Sequence, residues 1–242
     1  MNRTIVESLL VGALAPLGPR AVPSGIDKKP VAEPVFITRT GIEGDAQGDL
    51  KNHGGPEKAV HHYPLDHYAI WRAEYPELEA RLAQRGAFGE NLSSSGLTEA
   101  GICIGDVYRF GTALLQVAQG RQPCWKLNER FGRPDMARLV QESGRTGWYY
   151  RVMEEGHAAA GEALILIDRP TEAWPVARVL HVLYRDTLNR DALSALAALP
   201  WLAESWRTLA ARRLERNAVE DWSRRLQTAE ESPGGSPEGS RS

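Results

Sequence analysis

The stretch IGDVYRFGTALLQVAQGRQPCWKLN, residues 104–128, decides how the rest of the chain is read. Asp106 to Phe110 and Ala113 to Ala118 are short runs of Val, Leu and aromatic residues interrupted at glycine, a strand pattern rather than a helical one. Ile5 to Leu14, Pro34 to Thr38, Ala59 to Tyr63, Trp148 to Met153 and Ala163 to Asp168 share that character. The first two thirds of the chain therefore predict a mainly β body. Helical insertions interrupt it: Leu65 to Ala83 places Leu65, Tyr68, Trp71, Leu78 and Leu82 at helical spacing, with Pro76 breaking or kinking the run, and Met136 to Glu142 predicts a shorter helix.

Beyond Arg169-Pro170 the period changes. Val176, Val179, Leu180 and Leu183 share one helical face, followed by Leu193, Leu196 and Ala197, then by Trp206, Leu209, Ala210 and Leu214, with a spacing of four continuing through Ala218 and Trp222 to Leu226. This predicts a small three-helix module, with Leu199-Pro200 separating its second and third helices. The expected fold class is α+β, with a β domain over residues 1–170, the helical module over 171–228 and a disordered tail over 229–242 by composition.

The chain has 242 residues, 42% of them hydrophobic, which suits one large domain or a medium one with an appendage. Its formal net charge of −2 leaves no basic excess for general nucleic-acid binding. Glu7 precedes the apolar Leu9-Leu10-Val11, no cleavage pattern follows, and no run reaches membrane-spanning length, so a cytoplasmic protein without a membrane span is expected. Cys103 and Cys124 are the only cysteines and form no CxxC, too few for a disulfide scaffold or an iron–sulfur cluster. Any cluster or flavin that feeds electrons to this chain is expected on another one.

Four polar clusters interrupt the β body: Ser24 to Pro30; Gly41 to Gly55, continuing to Lys58 and His61-His62-Tyr63; Gly86 to Leu92; and Gln119 to Lys126. Loops of this composition on a rigid scaffold often carry binding groups. For Gly41 to Gly55, a long surface loop with glycines at positive φ is the competing reading. His53, between Asn52 and two glycines, does not read as a core histidine. His61 and His62 are neighbours in a predicted strand and face opposite sides, and a zinc site from His53, one of them and Cys124 has no standard spacing. Arg121 and Lys126 flank Cys124, and cations favour the thiolate, the form that attacks as a nucleophile or binds a soft metal. Cys103, between Ile102 and Ile104, reads as a small buried hydrophobe, and taken alone Cys124 is open to the same reading.

In order and spacing these segments resemble the YiiM family of MOSC domain proteins. The resemblance is carried by PSGIDKKPV at 23–31, GIEGDAQGDLKNHGGPEKAVHHYPLDHY at 41–68, AFGENLSSSGLTE at 87–99, residues 104–128, GWYYRVMEEG at 147–156 and SWRTLAARRLERNAVEDWSRRL at 205–226. It implies a β-barrel-like body that binds the pyranopterin molybdenum cofactor, with Cys124 as the protein ligand to molybdenum and the catalytic side chain; a thiolate suits that soft centre. Lys28, Asn52, His53 and Arg121, each able to donate to an anionic oxygen, are the implied cofactor-binding candidates, with Ser24 and Thr38 as further choices. Asp45, Asp49 and Asp106 are expected to fix loops through backbone bonds.

The implied activity is reduction of N-hydroxylated compounds, such as 6-hydroxylaminopurine or amidoximes, to the amine. Electrons would come from a separate flavoprotein or iron–sulfur protein. The helical module either docks that donor, covers apolar surface or supports a homodimer. A non-catalytic carrier of cofactor or sulfur is an alternative, and a metal-free thiol enzyme with Cys124 activated by Arg121 or Lys126 is another. Two positions depart from the family pattern: Gly120, where proline or a similar residue is expected, and Gln122, where a small one is. Gln122 is expected to alter the substrate mouth.

Overall fold

The computed structural model describes residues 3–48 and 54–228. Its strands are β1 (Arg3–Ile5), β2 (Ser8–Val11), β3 (Ala15–Leu17), β4 (Val22–Ser24), β5 (Lys29–Pro30), β6 (Val35–Thr38), β7 (Gly41–Ile42), β8 (Val60–Pro64), β9 (Leu92–Ser94), β10 (Val107–Phe110), β11 (Ala113–Gly120), β12 (Trp148–Glu154), β13 (Gly156–Ala158) and β14 (Ala163–Asp168). Nine of them form one sheet in the order β1-β14-β10-β11-β12-β8-β9-β2-β5. Its pairs are antiparallel except β8 with β9, which run parallel. Smaller sheets join β13-β6-β7 and β3-β4.

The ladder does not close into a ring of paired strands, yet it is barrel-like. β1 stands first in the order and β2 eighth, and a flat sheet would hold them about 34 Å apart at about 4.8 Å per strand. Only Val6 and Glu7 separate them in sequence, a reach of about 10 Å. The sheet must curl. Val6 N donates to Glu162 O at 2.9 Å beside β14, and the next amide, Glu7 N, donates to Ser93 O of β9 at 2.9 Å, so consecutive residues stitch the two ends.

The helices are α1 (Asp66–Glu74), α2 (Glu79–Leu82), α3 (Lys126–Phe131), α4 (Met136–Ser143), α5 (Val176–Tyr184), α6 (Arg190–Ala197), α7 (Glu204–Arg216) and α8 (Ser223–Leu226). The helix predicted over 65–83 divides at Tyr75-Pro76, as proline demands. The third helix of the module does not continue to Leu226: it stops at Arg216, where Asn217 takes a left-handed φ of 47°. Asparagine tolerates that conformation at a helix end, and the chain turns there. The tail expected from residue 229 lies outside the described residues. Among the described residues, no helix is long and apolar enough to cross a membrane.

Two cores hold the elements. In the larger, Leu115, Val117, Trp148 and Tyr150 of the sheet pack with Val179, Leu183 and Trp206 of the helical module. The module thus shares the sheet's core instead of hanging from it. The ladder of β11 and β12 shifts register between Val117 and Gln119, and there the Ala118 carbonyl accepts the Ala203 amide at 2.9 Å, seating the start of α7 on the sheet. Gly120 is explained by the same docking: a Cβ at this position would lie 3.0 Å from Leu180 Cδ2 and 3.1 Å from Trp206 Cη2. The second core, of Tyr63, Trp71, Phe88, Leu127, Phe131 and Met136, includes Leu226 from α8.

Candidate functional site

A cleft enclosing about 550 Å³, its open mouth included, forms where four loops meet the ends of the central strands. Its lining includes Ser24 and Lys28, Asp45, Lys58, His61, Asn91, Arg121, Cys124, Lys126 and Tyr149. The polar clusters of the sequence converge here. Gly147, with φ 68°, makes the approach of β12 to β8 fit, because a Cβ there would come 2.2 Å from the His62 carbonyl oxygen. The Gly147 carbonyl accepts the Arg121 amide at 2.9 Å, which fixes the chain as it leaves β11. Cys124 follows after Pro123, and its carbonyl accepts the Leu127 amide at 2.9 Å, opening α3. Cys124 is 6% exposed, and neither cysteine is in a disulfide.

Behind the cleft lies a buried polar network. Asn91 accepts the His61 amide at 3.0 Å and donates to Leu10 O at 3.1 Å and to Asp45 Oδ2 at 2.9 Å. Asp45 Oδ1 accepts the Gly12 amide at 2.8 Å and pairs with the Lys28 ammonium. Burial pulls the Lys28 pKa below its usual value, against the opposing charge of Asp45.

The described lining carries four cationic side chains, Lys28, Lys58, Arg121 and Lys126, against one carboxylate, Asp45. Such an excess suits an anionic ligand. Arg121 is 5% exposed and its Nη1 has no hydrogen-bond partner among the described residues; His61 Nε2 is buried and unpartnered likewise. Orphaned buried donors are costly in a folded chain and commonly mark a place where something binds. Burial first, and then the charges of Arg121 and Lys28, push the His61 pKa well below its usual value, so the imidazole is neutral. Burial keeps the Tyr149 phenol protonated, its pKa raised despite nearby Arg121.

Of the sequence candidates, the fold gathers Ser24, Lys28, Arg121 and Cys124 into this one cleft. Thr38 is elsewhere. Its hydroxyl donates to Gly41 O at 2.8 Å and accepts the Thr40 amide at 3.3 Å, so it shapes the turn between β6 and β7. Asn52, His53 and Asp49 lie outside the described residues. Gln122 is not among the residues that line the cleft, which corrects its expected place at the substrate mouth. Asp106 holds a loop as expected, accepting the Cys103 amide at 2.9 Å and the Arg169 guanidinium. Asp45 does more than fix a turn, since it is also the counter-charge of Lys28.

His61 and His62 do face opposite sides. His62 points into the core, its ring nitrogens 2.8 Å from Ser94 Oγ and 3.2 Å from Tyr150 Oη, and burial takes its pKa down to about 3. Among the described residues no three His, Cys, Asp or Glu side chains gather to hold a metal. Lys58, His61 and Asn91 stood in the polar clusters without being named as cofactor contacts, and Tyr149 stood outside them. The register that sets His61 opposite Tyr149 was the signal that could have found two of them.

Comparison with known proteins covers both parts of the chain. A MOSC domain model matches residues 49–165, and a model of the YiiM-like, 3-alpha helix domain matches residues 174–217. Protein YiiM of Escherichia coli (strain K12) is 42% identical over 209 residues, covering 86% of this chain and 92% of its own. The crystal structure of YiiM from Escherichia coli superposes with a TM-score of 0.76 at 35% identity, covering 89% of this chain and 100% of that one. A protein named Reductase from Gibberella moniliformis (strain M3125 / FGSC 7600) is 39% identical over 180 residues, 74% of this chain; those residues span 32% of the fungal protein.

Proposed function

Because this chain belongs to the YiiM family of MOSC domain proteins, we propose that it is a molybdenum-cofactor-dependent reductase of N-hydroxylated compounds, with the cofactor in the Cys124 cleft. The observation that carries the reading is the convergence on one cleft of Cys124 and the buried Arg121 Nη1, which has no hydrogen-bond partner among the described residues. A fungal relative that matches over 32% of its own length is named Reductase, which agrees with an oxidoreductase reading.

The donor set suits the group. A thiolate at Cys124 is the soft ligand that molybdenum accepts, and Arg121, Lys58 and Lys126 supply cations for its phosphate. Lys28, held against Asp45, contributes hydrogen-bond donors with its charge already balanced. Neutral His61 and the protonated Tyr149 phenol line the cleft as uncharged hydrogen-bonding groups. When bound, the cofactor supplies two-electron, oxygen-abstracting chemistry. The net reaction is R–NHOH plus two electrons and two protons to R–NH₂ and water. The electrons come from a separate flavoprotein or iron–sulfur protein.

The test is turnover of 6-hydroxylaminopurine by cofactor-loaded protein with a chemical reductant. Reduction to the amine by the wild type and its loss in Cys124→Ser are expected. An equal rate in Cys124→Ser, or bound cofactor with no turnover of any N-hydroxylated compound, would overturn the proposal.

A further inference from the structure

The segment after the helical module returns to the Cys124 loop. Trp125 N donates to Arg225 O at 2.8 Å, and Asn128 Nδ2 donates to Leu226 O at 2.8 Å. The Arg225 guanidinium reaches the other side of the thiol: Nη1 donates to Pro123 O, immediately before Cys124, and Nη2 donates to Gln141 Oε1 of α4 at 2.5 Å. A planar fork that holds two acceptors at once fixes geometry more tightly than a single donor can. Residues on both sides of Cys124 are thus tied to two adjacent residues, Arg225 and Leu226.

Those residues are themselves anchored. Glu220 pairs with Arg213 of α7 at 2.7 Å and accepts the Trp222 indole at 2.8 Å. Arg213, buried to 1% exposure, also donates to Leu183 O of α5 at 2.8 Å. Trp222 meets Tyr184 edge-on with centroids 5.7 Å apart, and the Arg225 guanidinium stands 5.8 Å from the Tyr184 ring. A chain of contacts runs from the helical module through α8 to the thiol loop.

We propose that Arg225 is a positioning residue that sets the Cys124 loop from the C-terminal segment, a segment beyond both matched family domains. The inference deepens the proposed function, since it matters to chemistry only if Cys124 is the working thiol. The helical module then has a role in the site: it carries the clamp on the loop that bears the cysteine.

Hydrogen–deuterium exchange on the full-length, metal-free protein tests this without reference to the cofactor. In Arg225→Met, exchange of the amides of residues 124–128 rises by at least about tenfold while those of β11 keep the wild-type rate. Arg225→Lys, which keeps one donor for Pro123 O but loses the fork that also holds Gln141, restores part of that protection. Unchanged exchange at 124–128, an equal rise in β11, or no recovery in Arg225→Lys overturns the proposal. Should Arg225→Met fail to fold, Gln141→Leu removes one anchor of the guanidinium and decides by the same comparison. A protein that lacks turnover but shows this exchange pattern would refute the proposed function and leave the clamp standing.

Discussion

The side-chain amide of Asn91 donates to Asp45 Oδ2 at 2.9 Å, while the other oxygen of Asp45 holds the Gly12 amide and the Lys28 ammonium. Asp45 therefore joins β2, the Lys28 loop and the Asn91 loop behind the cleft. Removing one partner of a buried ion pair strands the other charge. Asp45→Asn is expected to cost about 3–5 kcal/mol in urea denaturation, and adding Lys28→Met is expected to recover part of that loss. Strictly additive costs would show that the two do not interact.

Among the described residues Arg121 keeps a buried nitrogen without a partner, which is costly in a ligand-free fold. Arg121→Met is expected to leave the metal-free protein as stable or more so by about 1 kcal/mol, while lowering the pterin retained per chain. Thermal unfolding paired with pterin fluorescence checks both. A less stable variant that retains its pterin would contradict the assignment.

The pH dependence of stability follows from His62, whose pKa burial depresses to about 3 from the ordinary 6.5. Below pH 6.5 the unfolded chain takes up a proton that the native state refuses. The contribution is therefore complete above about pH 6.5 and is lost progressively toward pH 3; by pH 5.5 the loss for one such group is about 1 kcal/mol. His61 acts in the same direction. Urea midpoints at pH 7.5 and 5.5 should show the loss, and His62→Gln should reduce the slope. An unaltered slope would show that His62 is protonated in the fold.

The seat of the helical module is tested at Gly120. Gly120→Ala places a methyl 3.0 Å from Leu180 Cδ2, overpacking that is expected to cost about 1–3 kcal/mol. The penalty should shrink in a Leu180→Ala background. Equal penalties in both backgrounds would mean that the module does not press on this strand end.

What could be read from sequence followed the length of the signal. The apolar and aromatic runs of β11 and β12 and the period of α5 to α7 are long enough to be seen, and the cysteine loop stands out by composition. α3 spans six residues and α8 four, too few for a helical period to declare itself. β9 lies in the polar run GENLSSS and owes its pairing to neighbours instead of to its own pattern. Thr38 matched a plausible donor type but spends its hydroxyl on a turn. The clamp by Arg225 depends on the Pro123 carbonyl, about a hundred residues away, and a backbone acceptor leaves no mark on a sequence.

Molybdenum and pterin counted per chain, in wild type and in Cys124→Ser purified from cells that make the cofactor, test the central claim most directly. The wild type should carry molybdenum close to stoichiometrically and Cys124→Ser markedly less. A wild type without molybdenum, or a Cys124→Ser protein that carries as much as the wild type, would contradict Cys124 as the metal's protein ligand.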